Sequence, residues 1–145
     1  MRQLTFSESL NEVMTQEMKA NEDVYLLGED IGIFGGAFGV TYGMIQELGP
    51  EKVINTPISE AAVTGLAVGS ALTGMRPIFE FQFSDFITVA IDQIVNQAAK
   101  MRYMFGGKGK VPIVSFKVGH LRLAISACMR SILLHRSLIS HKRPY

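Results

Sequence analysis

Val53-Ile54-Asn55-Thr56-Pro57-Ile58-Ser59-Glu60-Ala61-Ala62-Val63-Thr64-Gly65-Leu66-Ala67-Val68-Gly69-Ser70-Ala71-Leu72 decides the fold of this chain. The apolar pair Val53-Ile54 closes a short buried strand over 52–54, Thr56-Pro57 breaks it, and Ser59 stands where a helix N-cap belongs. A helix over 60–73 follows, and its Ala and Gly faces suit close packing against a sheet or a partner helix rather than water. Glu60 sits in the first turn, where the positive end of the helix dipole favours its anion.

Outward from this unit the same alternation continues. The pattern predicts helix 7–20, strand 24–28, a glycine-rich loop 31–43, helix 43–48, strand 77–83, helix 86–103 and strand 111–116. Strands that alternate with helices argue for an α/β fold, a parallel sheet covered by helices. The predicted helix 86–103 carries Ile87, Ala90, Ile91, Ile94, Val95 and Ala98 on one broad apolar face, wide enough for both core and subunit contact. No internal repeat or low-complexity segment interrupts the chain.

At 145 residues and 48% hydrophobic content the chain fits one domain with an ample core. Its one cysteine, Cys128, excludes an internal disulfide. The N-terminal Met1-Arg2-Gln3-Leu4-Thr5-Phe6-Ser7-Glu8 enters a polar helix without an apolar signal core, and no run is long and apolar enough to span a bilayer. A cytoplasmic protein with no membrane partner is the expectation.

Six blocks carry a family resemblance: Leu27-Gly28-Glu29-Asp30-Ile31-Gly32, Gly35-Gly36-Ala37-Phe38-Gly39-Val40-Thr41, residues 55–60, Gly74-Met75-Arg76-Pro77-Ile78, residues 92–100 and Arg102-Tyr103-Met104-Phe105-Gly106-Gly107. In order and spacing they make residues 1 to about 114 resemble the beta subunit of the thiamine-diphosphate-dependent E1 component of 2-oxo acid dehydrogenase complexes, nearest the acetoin and pyruvate branches. The resemblance implies a thiamin-diphosphate-binding fold with helices on both faces of its parallel sheet. Residues 1–114 would be the N-terminal part of a pyrimidine-binding, transketolase-like domain. Family beta subunits are more than twice this length, so the domain would be incomplete and the C-terminal transketolase-like domain absent.

The same resemblance assigns roles. Glu60 matches the carboxylate that hydrogen-bonds N1′ of the cofactor's aminopyrimidine and shifts it toward an imino form able to take the thiazolium C2 proton. Held among Ile58, Ala61, Ala62 and Val63, that carboxyl would have its pKa raised by desolvation. Ile58 and Gln82 match positions that line the pyrimidine pocket, and Phe86 one that packs against the ring. The implied reaction cleaves acetoin or decarboxylates pyruvate or another 2-oxo acid and passes the acyl unit to a lipoyl group. Implied partners are an E1 alpha subunit and a second beta subunit in an α2β2 assembly, and the E2 lipoyl acyltransferase. The Gly-Asp-Gly motif that holds magnesium and diphosphate is missing, so thiamine diphosphate would be shared with the alpha subunit, which supplies the magnesium.

Read without the resemblance, the same residues have plainer meanings. Glu60 is then a first-turn helix acid. Phe79, Phe81 and Phe83 read as one face of a core strand; for Phe86 the role that the resemblance implies, an aromatic wall for a flat ring, is preferred. Glu29-Asp30 ends an apolar strand where parallel sheets place ligands, yet a turn-forming Asp beside Gly32 explains it more simply. Glu80 inside the aromatic strand would be costly if unpaired, which nominates Arg76 or Arg102 as its partner. The glycine-rich loop lacks both the phosphate-loop Lys-Ser/Thr and the Gly-x-Gly-x-x-Gly fingerprint, and reads as a mobile site-entrance loop anchored by Phe34 and Phe38.

Charge divides the chain. All thirteen acidic residues lie at or before Asp92, while every histidine and six of the fourteen Lys and Arg fall in 115–145. After Val111-Pro112-Ile113-Val114 the family's Arg-Thr-Pro turn and Ala-Gln-His-Ser block do not appear, so His120, His135 and His141 receive no catalytic role. The Ile113 carbonyl matches a potassium ligand of some relatives, but the remaining ligands are missing and no metal site is expected. If Arg130, Ser131 and Ile132 are encoded CGC, AGC and ATT, reading two bases later spells Ala-Gln-His-Ser, which suggests a frameshifted basic tail; other codons there would exclude it. Three readings therefore stand: an E1 beta subunit or its inactive remnant, an inactive interaction protein that pairs with E1 subunits, and a basic arm for nucleic acid or membrane. The last is least favoured, and neither nucleic acid nor membrane is the expected partner.

Overall fold

A computed structural model of the chain describes residues 3–117. The basic segment with its three histidines, and Cys128, lie outside the described residues apart from Ser115, Phe116 and Lys117. The elements run α1 (Phe6–Ala20), β1 (Val24–Glu29), α2 (Met44–Leu48), β2 (Val53–Thr56), α3 (Glu60–Leu72), β3 (Arg76–Phe81), a 3-10 turn (Ser84–Thr88), a π-helical stretch (Gln93–Ala98) that continues as α4 (Ala99–Met104), and β4 (Val114–Lys117). Among the described residues all strand pairs are parallel, in the order β2-β1-β3-β4.

The four-stranded sheet separates two apolar layers. On one face Leu26 and Ile78 pack with Met14 and Met18 of α1, with Val40 and with Met44 of α2. On the other, Tyr25, Leu27, Phe79 and Phe81 pack against Val63 and Ala67 of α3 and against Ala90 and Ile94. Every residue of β1 is buried, as a central parallel strand with both faces covered requires. The helices thus cover both faces, as expected. Tyr25 and Ser70 share a hydroxyl hydrogen bond of 2.6 Å that ties α3 to β1. Lys52 Nζ donates to the carbonyls of Asn21, Glu22 and Val24 and staples the α1–β1 turn to the start of β2.

Local chemistry explains the first helix. Thr5 Oγ1 accepts from the Glu8 N–H at 3.2 Å, and Glu8 Oε2 accepts from the Thr5 N–H at 2.7 Å, a reciprocal capping box. Thr5→Ala is therefore expected to cost about 1 kcal/mol in urea unfolding, since an N-cap hydroxyl contributes that order of stability. A loss below about 0.2 kcal/mol would show that tertiary packing alone holds the α1 terminus.

Three expectations change. The aromatic strand stops at Phe81, where its last pairing, with Lys117, is made. Phe79 and Phe81 join the core edge to face at 5.1 Å, but Phe83 is exposed beyond the strand end. The predicted helix 86–103 is broken into the 3-10 turn and a helix containing the π stretch, so that Ala90 and Ile94 face the core while Ile91 and Val95 face outward. Finally, β4 begins at Val114 rather than 111, because its register with β3 starts at Ile78 opposite Val114.

Candidate functional site

The carboxyl ends of β1 and β2, the N-terminus of α3 and the segment after β3 converge at one edge of the sheet. Ser59 occupies the α3 N-cap position, but its side chain makes no capping bond. The expected Ser59 cap is replaced by a backbone one: the Ser59 N–H donates to Glu29 Oε1 at 2.8 Å. A carboxylate from a neighbouring strand thus satisfies a donor at the helix entrance. Glu60 follows as the first residue of α3 and is half-buried.

Glu29 is itself buried, at 5% exposure. Burial pushes its carboxyl above the ordinary value, the Ser59 N–H pulls it back down, and the negative charges of Glu60 and Asp30 push it up further. Asp30, beside it, holds a left-handed φ of 56°. Its carbonyl accepts from the Gly36 N–H at 2.9 Å, the turn role expected of it.

Gln82 closes the ring of contacts. Its Nε2 donates to the Glu29 carbonyl at 3.4 Å and to Asp30 Oδ2 at 3.3 Å. One acid-rich strand end therefore links the segment 58–60 to Gln82 through Glu29. Asn55 adds a further tie, its Oδ1 accepting from the Gly32 N–H at 3.1 Å. The sequence undervalued Glu29 and Asp30; their place at the carboxyl end of a fully apolar strand was the available signal.

The remaining candidates form the open side. Ile58 is 76% exposed and Phe86 37% exposed. Ala62 is exposed as well, so the apolar enclosure expected around Glu60 is not formed within this chain; only Val63 of that group is buried. The physical reason is the helix period: Val63 and Ala67 face the sheet, which turns Ala62 and Leu66 outward. Phe86 packs edge to face on Phe83 at 5.6 Å, and Phe83 on Phe38 of the glycine loop at 5.8 Å. Phe34, expected as an anchor, is exposed.

Glu80 is the second departure. It is 4% exposed, neither carboxylate oxygen has a hydrogen-bond partner among the described residues, and burial pushes its pKa up to about 7. Neither Arg76 nor Arg102 neutralises it. Arg76 lies four residues back along β3, roughly 13 Å away along an extended strand, and Arg102 belongs to α4, which continues the helix packed on the opposite face.

Chemically the edge offers a carboxylate, an amide whose Nε2 is committed and whose Oε1 is available, an aliphatic surface and an aromatic edge. That set can accept hydrogen bonds at the carboxylate and the amide oxygen beside apolar surface suited to a flat ring. No cluster of three or more His, Cys, Asp or Glu side chains able to hold a metal occurs among the described residues. No helix among them is long and apolar enough to cross a membrane.

Comparison with known proteins agrees with this geometry. The chain matches the family model described as "Transketolase, pyrimidine binding domain" over residues 2–122. It is 48% identical over 114 residues to the pyruvate dehydrogenase E1 component subunit beta of Rhizobium meliloti (strain 1021), covering 79% of this chain and 25% of that one. It is 46% identical over 124 residues to the acetoin:2,6-dichlorophenolindophenol oxidoreductase subunit beta of Bacillus subtilis (strain 168), covering 77% and 36%. A mitochondrial pyruvate dehydrogenase E1 component subunit beta-2 of Oryza sativa subsp. japonica is 45% identical over 113 residues, 78% of this chain and 30% of its own. The chain thus spans between a quarter and about a third of the length of these relatives. The parallel sheet, the order of its elements and this match over most of the sequence have one meaning: the chain belongs to the transketolase pyrimidine-binding-domain family.

Proposed function

We propose that this chain supplies the pyrimidine half of a thiamine-diphosphate site in an E1-type dehydrogenase beta subunit, with Glu60 as its catalytic acid–base group. The observation that carries the reading is the Glu29 bridge, which ties the Ser59 N–H and the Gln82 amide to one strand end and so presents Glu60, Ile58 and Gln82 at a common edge. Glu60 would hold the aminopyrimidine ring nitrogen, Gln82 would offer its free Oε1 to the exocyclic amine, and Ile58 and Phe86 would cover the ring's faces. When bound, thiamine diphosphate supplies the electron sink for cleaving the bond next to a carbonyl. This chain's own part is to hold and move a proton at the Glu60 carboxylate and to keep the ring in place.

The open side next to Ile58 and Phe86 suits completion by a second polypeptide. In this reading an alpha subunit brings magnesium and the diphosphate-binding half, a second beta subunit completes an α2β2 assembly, and an E2 lipoyl acyltransferase takes the acyl unit derived from acetoin, pyruvate or another 2-oxo acid. A cytoplasmic setting without nucleic-acid or membrane partners belongs to the same reading. So do the domain limits, with residues 1–114 as the N-terminal part of the domain, extended to Lys117 by the pairing of β4, and a basic segment after it. A second reading, an inactive chain that pairs with E1 subunits, is favoured by the exposed Ile33, Phe34, Tyr103, Met104 and Phe105.

Calorimetric titration of thiamine diphosphate and magnesium into this chain mixed with an E1 alpha subunit separates the two. Saturable binding that neither chain shows alone, and that Glu60→Ala weakens at least tenfold, is the expected result; such a loss corresponds to about 1.4 kcal/mol. A stable complex of the two chains that binds no cofactor would leave the inactive reading standing and overturn ours.

A further inference from the structure

Glu80 takes no part in the site just described, yet among the described residues it is a buried carboxyl with neither oxygen hydrogen-bonded. It lies on β3 between Gly28 of β1 and Phe116 of β4, on the sheet face shared with Ile78 and Met14. The glycine-rich loop 31–43 covers it. Gly36, at φ +80°, rests so closely that a Cβ there would stand 2.6 Å from Glu80 Oε2 and 3.0 Å from Oε1. Only glycine accommodates both the left-handed backbone and the carboxyl beneath.

The loop is pinned at other points but pivots on glycines. Its bonds run from the Gly36 N–H to the Asp30 carbonyl, from Thr41 Oγ1 to the Ile31 carbonyl at 3.0 Å, and from Asn11 Nδ2 to the Val40 carbonyl at 2.6 Å. Gly35, Gly36, Gly39 and Gly43 all have positive φ. Near the loop's midpoint Phe38 touches Phe83, which touches Phe86. One aromatic row thus connects the loop over Glu80 to the proposed ring wall.

We propose that Glu80 is the seat of the glycine-rich loop, that the loop closes on its neutral carboxyl, and that ionisation of Glu80 loosens the loop and with it the aromatic row Phe38–Phe83–Phe86. The link to a cofactor wall rests on the function proposed above; the seat itself does not. The titratable neighbours on the flanking elements are engaged elsewhere. Glu29 faces the Ser59 N–H, Asp30 takes Gln82, Lys117 donates to Ser84 Oγ, and Tyr42 of the loop is exposed. On α1, Glu12 lines the groove between α1 and the loop together with Glu8. Burial favours the neutral form of a carboxyl so placed and pushes its pKa up to about 7.

The sign follows from proton counting. The closed loop keeps a proton on Glu80 that the open loop releases at the ordinary carboxyl value, so closure is favoured at low pH and weakened as pH rises through about 7. If opening returns Glu80 to water, protection of the loop amides should fall about tenfold between about pH 6 and about pH 8 after correction for intrinsic exchange. Hydrogen–deuterium exchange on the full chain, read by mass spectrometry in peptides covering 31–43 and 83–89, measures this without cofactor.

Glu80→Gln, neutral at every pH, should abolish the slope in both peptides. Gly36→Ala, which places a methyl group against the carboxyl, should leave the loop poorly protected at both pH values, and serves if the Gln variant does not fold. A flat profile in the parent chain, or a Glu80→Gln variant that keeps the parent slope, overturns the seat. A slope confined to 31–43 overturns the link to the aromatic row. Failure to bind thiamine diphosphate would overturn the proposed function and leave these exchange rates as they are.

Discussion

Turnover of the enzyme assembled from this chain and an E1 alpha subunit is expected to fall by roughly 10²–10⁴-fold in Glu60→Ala, the range in which a positioned proton-transfer group contributes. The control is its neighbour. Ser59 makes no side-chain cap, and the α3 entrance is held instead by its backbone N–H on Glu29, so Ser59→Ala should leave turnover within about threefold and stability within about 0.5 kcal/mol. A helix-entrance residue and the acid beside it would thereby differ by orders of magnitude for reasons visible in the geometry. Steady-state kinetics on the reconstituted enzyme makes the measurement. A Glu60→Ala loss of less than about tenfold would mean that another group handles the proton, and the proposed role of Glu60 would be wrong.

The largest effect on stability should come from Phe79→Ala, which is expected to cost about 3–5 kcal/mol. Phe79 is 1% exposed, stands on the central part of β3, meets Phe81 edge to face, and lies between the sheet and α3. Its removal deletes apolar burial and leaves a void that a strand paired on both sides cannot close by shifting. Since whole-domain stabilities are about 5–15 kcal/mol, such a loss would leave the chain close to unfolding at room temperature. Phe86→Ala, three residues past the exposed Phe83, should by contrast stay within about 1 kcal/mol, because the ring is already partly in water. Urea denaturation of the two variants separates them; a Phe79→Ala cost under about 1 kcal/mol would show that the α3 layer repacks freely.

These contrasts show why the acids of this chain are not interchangeable. Glu60 stands half-open at a helix entrance, Glu29 is buried with an N–H donor, and Glu80 is buried with none among the described residues. Three glutamates share one side-chain chemistry, yet their settings differ: burial raises the proton affinity of both Glu29 and Glu80, and at Glu29 the Ser59 N–H draws it back.

What the sequence determined by itself was the succession of strands and helices, the parallel sheet, and the placement of Ile58 and Glu60 at the start of α3. Those features follow from apolar runs, breakers such as Thr56-Pro57 and the helical spacing of Val63, Ala67 and Ala71, all of which act over a few residues. The family resemblance carried by the ordered blocks was legible for the same reason, since each block is a local string. Only the tertiary structure decided that Glu29 rather than the Ser59 side chain caps α3, that Asp30 anchors Gln82, that Phe83 leaves the core while Phe81 remains, and that Glu80 meets a glycine instead of an arginine. Each of these depends on the register of β1, β3 and β4 and on the path of the loop 31–43 across the sheet. Register is set by pairing between segments tens of residues apart, and no local pattern encodes which side chains it brings face to face.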